Sequence, residues 1–191
     1  MNFARLVPAL FLSVAQSLGA QSVSLPTGSP QVQACYLAAE RTSTATVPLG
    51  ALEPCVEALA SPLNERERLA TQVNLALIEV QLGDFDEAMK NYDLALTSSN
   101  LYVEVYLNRG NLFYLKGDFA AAIRDYSEAL RLDSTVAELV HLNRGMAYQS
   151  RGEYILAESD YRAALSIRPE WPLPAEKLQL LEIERQTNRA P

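Results

Sequence analysis

The sequence predicts an all-α solenoid, built from helix–turn–helix units stacked side by side. Residues 103–169 contain one sequence pattern twice, with every matched spacing the same and a step of 35 residues from Gly110 to Gly145. An earlier copy has the same turn, and its Gly83 lies 34 residues before Gly117. Apolar residues recur in these copies at the spacing of one helix face. Self-similarity at this period is typical of solenoids, in which each unit buries its apolar face against the next.

Each unit has the residues that a tight helical hairpin requires. A glycine followed by an acidic and an aromatic residue ends the first helix of each copy, at Gly83, Gly117 and Gly152. Glycine accepts the left-handed backbone that closes a helix, and the acidic residue interacts favourably with the N-terminus of the next helix. Small residues at matched positions let the two helices approach closely: Ala76, Gly110 and Gly145 on the first helix, and Ala88, Ala122 and Ala157 on the second.

These positions also carry a family resemblance. The pattern Tyr106-x2-Arg109-Gly110-x2-Phe113, followed by Ala122-x3-Tyr126, resembles the tetratricopeptide repeat, with its large, small and aromatic residues and its Ala-x3-aromatic motif. The next copy keeps this pattern and ends at the expected Pro169. The resemblance implies three repeats, at 69–102, 103–137 and 138–169, in a right-handed α-solenoid with a C-terminal capping helix.

Residues 1–20 have the features of a secretory signal peptide. Arg5 gives a positive start, Leu6–Val14 is a mostly apolar core, and small residues precede a predicted cleavage site after Ala20. The alternative is an ordinary N-terminal helix. We expect an exported protein, in the periplasm of a Gram-negative cell, with no membrane span once the signal peptide is removed. Residues 21–31 contain Ser, Pro and Gly and are predicted to form a flexible arm.

Both ends of the repeat array are predicted to be capped. Residues 32–61 form a degenerate leading hairpin, whose antiparallel packing brings Cys35 and Cys55 to similar levels. Two cysteines in an exported chain favour a disulfide, which would contribute roughly 3 kcal/mol by constraining the unfolded chain. Two buried free thiols are the alternative. Residues 170–191 form a turn and a final helix, whose polar outer face covers the last repeat.

Composition and motifs argue against several classes of function. The chain has 191 residues and a formal net charge of −7, which becomes −8 without residues 1–20 and does not suit a general nucleic-acid binder. The sequence has no Cys, His and acidic cluster with metal-binding spacing, no common nucleophile motif and no phosphate-binding glycine-rich loop. We therefore expect no cofactor, no metal and no catalytic activity. His141, the only histidine, and Trp171 are interpreted as packing residues.

A charged pair recurs between the two helices of the later copies. Arg109 and Arg144 replace the usual leucine, and the same copies have Asp125 and Asp160 on the second helix. The earliest copy has an uncharged residue at both places. We predict Arg109–Asp125 and Arg144–Asp160 ion pairs, each contributing at most about 1 kcal/mol if exposed. The alternative is that these arginines bind an acidic partner.

An asparagine recurs at one position of each first helix. In tetratricopeptide repeats the first helices line a concave groove, where an Asn can bind a peptide backbone because it offers both a donor and an acceptor. Neighbouring positions are apolar with a few polar groups, as expected of a peptide groove. The predicted groove residues are Asn74, Leu77, Leu107, Asn108, Asn111, Tyr114, Leu142, Asn143, Met146 and Gln149. The alternative role for the asparagines is hydrogen bonding between helices.

The resemblance and the groove together predict a non-catalytic adaptor that binds a protein or an extended peptide. A second hypothesis is a self-associating structural protein, whose groove takes the N-terminal arm or the C-terminal helix of a neighbour. A third is an enzyme or small-ligand binder, which would use His141 or Trp171. The sequence does not identify the partner.

Overall fold

The computed structural model describes residues 18–25, 27–42, 47–97, 102–132 and 135–187. Within these ranges the regular elements are nine α-helices. They are α1 (Pro30–Thr42), α2 (Glu53–Ala60), α3 (Glu65–Leu82), α4 (Phe85–Leu96), α5 (Tyr102–Leu115), α6 (Phe119–Arg131), α7 (Ala137–Ser150), α8 (Tyr154–Ile167) and α9 (Pro172–Thr187). Each helix packs against the next, so the described residues form the predicted all-α solenoid.

The glycine turns close three of the hairpins in the same way. Gly83, Gly117 and Gly152 have φ angles of 82°, 78° and 76°, in the left-handed region where a side chain is strained. In each turn the acidic residue after the glycine donates its backbone N–H to the carbonyl five residues earlier, at 2.9 Å. The first helix of each hairpin is therefore capped by its own turn.

The first and second helices of the later hairpins approach closely because a glycine faces a tyrosine ring. A Cβ atom at Gly110 would lie 2.6 Å from Tyr126 Cε1, and one at Gly145 would lie 2.7 Å from Tyr161 Cε1. Both tyrosines are fully buried. The small residues identified in the sequence thus make room for the aromatic residues of the second helix.

The leading hairpin, α1 and α2, is joined by a disulfide. Cys35 and Cys55 have an S–S distance of 2.06 Å, which confirms the predicted pairing. Both residues lie in an apolar cluster with Leu75 and Ile78 of α3, so the hairpin covers the first repeat. At the other end α9 packs on α8 and buries Leu181.

The segment before α1 differs from the predicted flexible arm. Residues 21–25 form no helix or turn, Gly28 N–H bonds to the Leu25 carbonyl at 2.9 Å, and α1 begins at Pro30. Contacts with distant helices, described below, hold these residues where the sequence predicted a flexible arm. Residues 1–17, which include most of the predicted signal peptide, lie outside the described residues.

Candidate peptide-binding groove

Asparagines from two successive first helices bind the backbone of the N-terminal segment, residues 18–25. Asn74 of α3 accepts a hydrogen bond from Val23 N–H at 2.8 Å and donates one to the Val23 carbonyl at 3.0 Å. Asn108 of α5 does the same with Gln21, at 3.0 Å for the N–H and 2.8 Å for the carbonyl. The groove is therefore the surface of α3, α5 and α7 against which this segment lies.

The two-residue step along the segment is the one that an extended chain produces. In an extended chain the N–H and C=O of one residue point to the same side, and those of the next residue point to the other. A carboxamide matches such a pair because it has one carbonyl oxygen and one NH₂ group. Residues 21 and 23 thus present their backbones to successive asparagines, and neither asparagine selects a side chain.

Side chains of the segment fill apolar space on both sides of this contact. Val23 and Leu25 are each 6% exposed and lie in one cluster with Val32, Leu69 and Val73. Burial of such a side chain stabilises the bound state by about 1.5–3 kcal/mol. The alternate residues Ala20 and Ser22 face a small pocket lined by Ala39, Thr42, Leu77 and Gln81.

The third asparagine, Asn143 of α7, makes a different contact. Its side-chain NH₂ donates to the Leu18 carbonyl at 2.8 Å and to Asn111 Oδ1 at 2.9 Å. Asn111 also donates to the Leu18 carbonyl at 3.4 Å and accepts from the Tyr126 hydroxyl at 2.8 Å. The side chain of Leu18 is fully buried in a cluster with Leu142 and Met146.

The regular step of two residues is lost before it reaches Asn143. That step would place residue 19 opposite Asn143, but Gly19 has a φ of +57° and turns the chain. Asn143 Oδ1 is consequently buried without a hydrogen-bond partner among the described residues. An orphaned buried acceptor is unfavourable by about 1–3 kcal/mol, so this position of the groove is incompletely matched.

The remaining predicted groove residues have mixed placements. Leu107 is fully buried among α5, α6 and α7. Gln149 accepts from the Tyr161 hydroxyl at 2.6 Å and donates to Glu184 of α9 at 2.9 Å, so it holds the terminal helix. Tyr114 packs edge-on against Phe119, with 5.2 Å between ring centroids. These three residues support the hairpins.

Sequence reasoning did not predict that the chain's own residues 18–25 occupy the groove. The signal that could have found them is the alternation of Val23, Ser24 and Leu25, which is typical of a short extended segment with one buried face. The sequence hypotheses considered the N-terminal arm as an occupant of the groove only for a neighbouring chain.

Comparison with known proteins identifies the helical hairpins. Sequence models described as "Tetratricopeptide repeat" match residues 103–136 and 140–170, and one described as "TPR repeat" matches residues 76–117. The array belongs to the tetratricopeptide repeat family. We number its TPR repeats 1 (α3–α4), 2 (α5–α6) and 3 (α7–α8).

A solved structure described as "MamA RS-1 ArsTM double mutant" has a similar fold. It superposes with a TM-score of 0.65 at 15% identity, covering 82% of this chain and 86% of that chain. At this identity the likeness concerns the fold alone. A search of curated proteins found no significant sequence match. In the part of the chain that the structure describes, no helix has the length and apolar character needed to cross a bilayer.

An ion pair joins the two helices of TPR repeat 2 and of TPR repeat 3. Arg109 donates to both carboxylate oxygens of Asp125 at 2.8 Å, and Arg144 does the same with Asp160. The Asp125 and Asp160 side chains are only 7% and 5% exposed. The contribution to stability that we expected for exposed pairs therefore does not apply. The hydrogen bonds and charge of Asp125 raise the pKa of Arg109.

His141 belongs to the ion pair of TPR repeat 3. Its Nδ1 lies 2.8 Å from Asp160 Oδ1, and the Arg144 guanidinium lies above the Tyr148 ring at 5.8 Å. Burial alone would raise the pKa of Asp160, but hydrogen bonds from Arg144 and His141 hold it below its ordinary value. TPR repeat 1 instead has Asn91 donating to Glu79 at 2.9 Å, and burial raises the pKa of that glutamate.

Tyr92 provides a prediction that separates TPR repeat 1 from TPR repeat 2. Its hydroxyl is fully buried with no partner among the described residues, whereas the Tyr126 hydroxyl bonds to Asn111. TPR repeat 1 has Leu77 at the place of Asn111. Tyr92→Phe should therefore raise the free energy of unfolding by about 1 kcal/mol, because it removes an unsatisfied buried hydroxyl. Tyr126→Phe should lower it by about 1 kcal/mol, because a hydrogen bond is lost.

Urea unfolding of the two variants, monitored by circular dichroism, measures both effects. Each substitution removes one oxygen atom from a fully buried tyrosine, so each is the matched control of the other. Equal destabilisation by both substitutions would contradict the assignment of the Tyr92 hydroxyl as unpaired.

Proposed function

We propose that this protein is an exported TPR adaptor that binds an extended polypeptide segment in its concave groove and has no catalytic role. The observation that carries the proposal is the two-point contact of Asn74 and Asn108 with the backbone of residues 23 and 21. Backbone recognition by carboxamides accepts any sequence that is extended at those positions. The apolar contacts beside it then favour aliphatic side chains.

Export is the part of the proposal that rests on the sequence and on the disulfide. Residues 1–20 have the charge, apolar core and small residues of a signal peptide. A disulfide between Cys35 and Cys55 is typical of an oxidising compartment. Both features support our proposal of a periplasmic protein.

Binding of a partner in this groove is a competition with the chain's own N-terminal segment. A tethered segment has an effective concentration in the millimolar range, so a free peptide of equal intrinsic affinity binds weakly. A partner must displace residues 21–25 or use the part of the groove that they leave free. This competition makes the N-terminal segment a regulator of access to the groove.

The test weakens the tethered segment and offers the groove a free one. In the full chain, Gln21→Pro and Val23→Pro together remove the two N–H groups that donate hydrogen bonds to Asn108 and Asn74. A fluorescent peptide with the sequence of residues 18–25 should then bind with measurable anisotropy, and binding to the unmodified chain should be at least tenfold weaker.

Two controls define the contact in this experiment. A peptide N-methylated at the residues equivalent to 21 and 23 lacks the same N–H groups and should not bind. Addition of Asn74→Leu and Asn108→Leu to the proline variant should abolish binding of the unmodified peptide. Binding that survives both changes would contradict recognition by the asparagines.

A second candidate function is self-association through the same groove. The N-terminal segment fits the groove of its own chain, so the identical segment of a second copy would make the same contacts. Light scattering of the full chain at increasing concentration distinguishes the two. A dimer that Gln21→Pro and Val23→Pro dissociate would favour self-association, and a monomer at all concentrations would favour the adaptor.

A further inference from the structure

We infer that the α7 end of the groove is the docking site of the partner, and that it takes a fully extended chain with an aliphatic side chain in the place of Leu18. The inference deepens the proposed function and rests on it. Its central observation is that Asn143 uses only its donor group, whereas Asn74 and Asn108 use both donor and acceptor.

The chain's own segment is a poor match at this end because of one residue. Gly19 adopts a φ of +57°, and a Cβ at this conformation would lie 2.9 Å from Leu139 Cδ1. The turn brings the Leu18 carbonyl to Asn143 but no N–H to Asn143 Oδ1. An occupant that stays extended would keep the two-residue step and would present both its N–H and its C=O to Asn143.

The site is built to hold such a chain. Asn143 is fully buried, and its unpaired oxygen lies beside a position that a polypeptide already occupies. Asn111, which accepts a hydrogen bond from the Tyr126 hydroxyl, donates its NH₂ group to the Leu18 carbonyl, to which Asn143 also donates. The cluster around Leu142 and Met146 accepts the leucine side chain.

Removal of the signal peptide would open this end selectively. Cleavage after Ala20 would remove Leu18 and leave Gln21 and Val23 bonded to Asn108 and Asn74. The partner would then continue the line of the mature N-terminal segment, running from α7 towards α5. The precursor would be blocked at the same site by residues 18–20.

Three synthetic peptides test the site on the processed protein, purified after export and checked by mass for an N-terminus at Gln21. The first peptide has the sequence of residues 13–20, the second carries Gly19→Ala, and the third is the second with an N-methyl group on that alanine. Alanine disfavours the left-handed turn and favours the extended backbone. The second peptide should bind about five- to tenfold more tightly than the first, as one added hydrogen bond allows.

The N-methylated peptide should lose this gain, because it has no N–H for Asn143 Oδ1. In the protein, Asn143→Leu should weaken the second peptide about tenfold, as loss of its hydrogen bonds implies, while Glu176→Gln on the exposed side of α9 should leave binding unchanged. The melting temperature shows whether Asn143→Leu folds. The peptide comparison uses the unmodified protein and remains decisive if it does not.

Several results would overturn the inference. A weaker affinity after Gly19→Ala would show that the left-handed turn is what this end of the groove selects. Peptide binding that depends on Asn74 and Asn108 but not on Asn143 would leave the proposed function standing and remove the α7 site. If the processed protein has a different N-terminus, the occupant of the α7 site would be the chain's own residues. If Asn143→Leu dissociates a dimer, the occupant would be a second copy of this chain.

Discussion

Asp160→Asn is expected to lower the free energy of unfolding by about 3 kcal/mol, because it leaves Arg144 beside a helix contact without its carboxylate. Breaking a buried ion pair on one side is unfavourable by roughly 3–5 kcal/mol, and we take the lower end because the Arg144 side chain is 21% exposed. The substitution also weakens the contact with His141 Nδ1, which lies 2.8 Å from the same carboxylate. Urea unfolding at pH 7 measures the change.

The natural residues of TPR repeat 1 supply the control for this prediction. That repeat has Leu75 and Asn91 at the places of Arg144 and Asp160. The double substitution Arg144→Leu/Asp160→Asn imports this uncharged combination and should recover most of the lost stability, since replacing a whole buried pair is often neutral. A double variant as unstable as the sum of its single variants would contradict a direct pairing.

The pH dependence of the same variant has a defined sign. Asp160 has a lowered pKa in the folded protein, so its ionised form is favoured by folding. Its contribution is complete above the ordinary aspartate value of about 3.9 and is lost as the pH falls through the folded-state value. The stability difference between the native protein and Asp160→Asn should therefore be full at pH 7 and should shrink below about pH 4.

The hairpins could be predicted from sequence because their determinants are local. Gly117 ends α5 through a left-handed backbone that few other residues adopt, and Gly110 admits the Tyr126 ring from the neighbouring helix. These residues recur at a fixed step, so each copy supports the interpretation of the others. The predicted all-α solenoid was confirmed for this reason, and the predicted disulfide was confirmed because the two cysteines lie on the facing helices of one hairpin.

The occupant of the groove could not be predicted because its order comes from distant residues. Val23 is held by Asn74, which is 51 residues away, and Leu18 by Asn143, which is 125 residues away. Local composition around residues 21–30 resembles a loop. Sequence reasoning predicted that the asparagines could bind an extended backbone and named a neighbour's N-terminal arm as one occupant. It did not predict that the segment of the same chain lies there.

The contribution of the ion pairs to stability also could not be predicted from the sequence. The spacing of Arg109 and Asp125 places them on facing helices, but the strength of a pair depends on its burial. Tyr106 and Phe113 flank the Arg109 guanidinium, with ring centroids 5.8 and 5.7 Å away. These rings partly exclude water from the pair, which a sequence pattern does not reveal.

Loss of the Cys35–Cys55 disulfide is the second large effect that we expect. The bond links residues 20 positions apart, and constraining a loop of that length stabilises a folded chain by roughly 3 kcal/mol through the unfolded state. The leading hairpin has a short second helix of 8 residues, and residues 43–52 separate its two helices, whereas two or three residues separate the helices of each TPR repeat. Cys35→Ala/Cys55→Ala should thus lower the free energy of unfolding by about 3 kcal/mol.

Treatment of the native protein with a reductant breaks the disulfide without changing the side chains at positions 35 and 55. It therefore separates the loss of the bond from a loss of packing by the two cysteines. The native protein in dithiothreitol should unfold at the same urea concentration as the double variant, and the variant should be insensitive to the reagent. A double variant much less stable than the reduced native protein would assign the effect to the apolar cluster with Leu75 and Ile78. Because α1 also carries Val32, which packs with Val23 and Leu25, loosening the hairpin should release the N-terminal segment and increase binding of the peptide of residues 18–25.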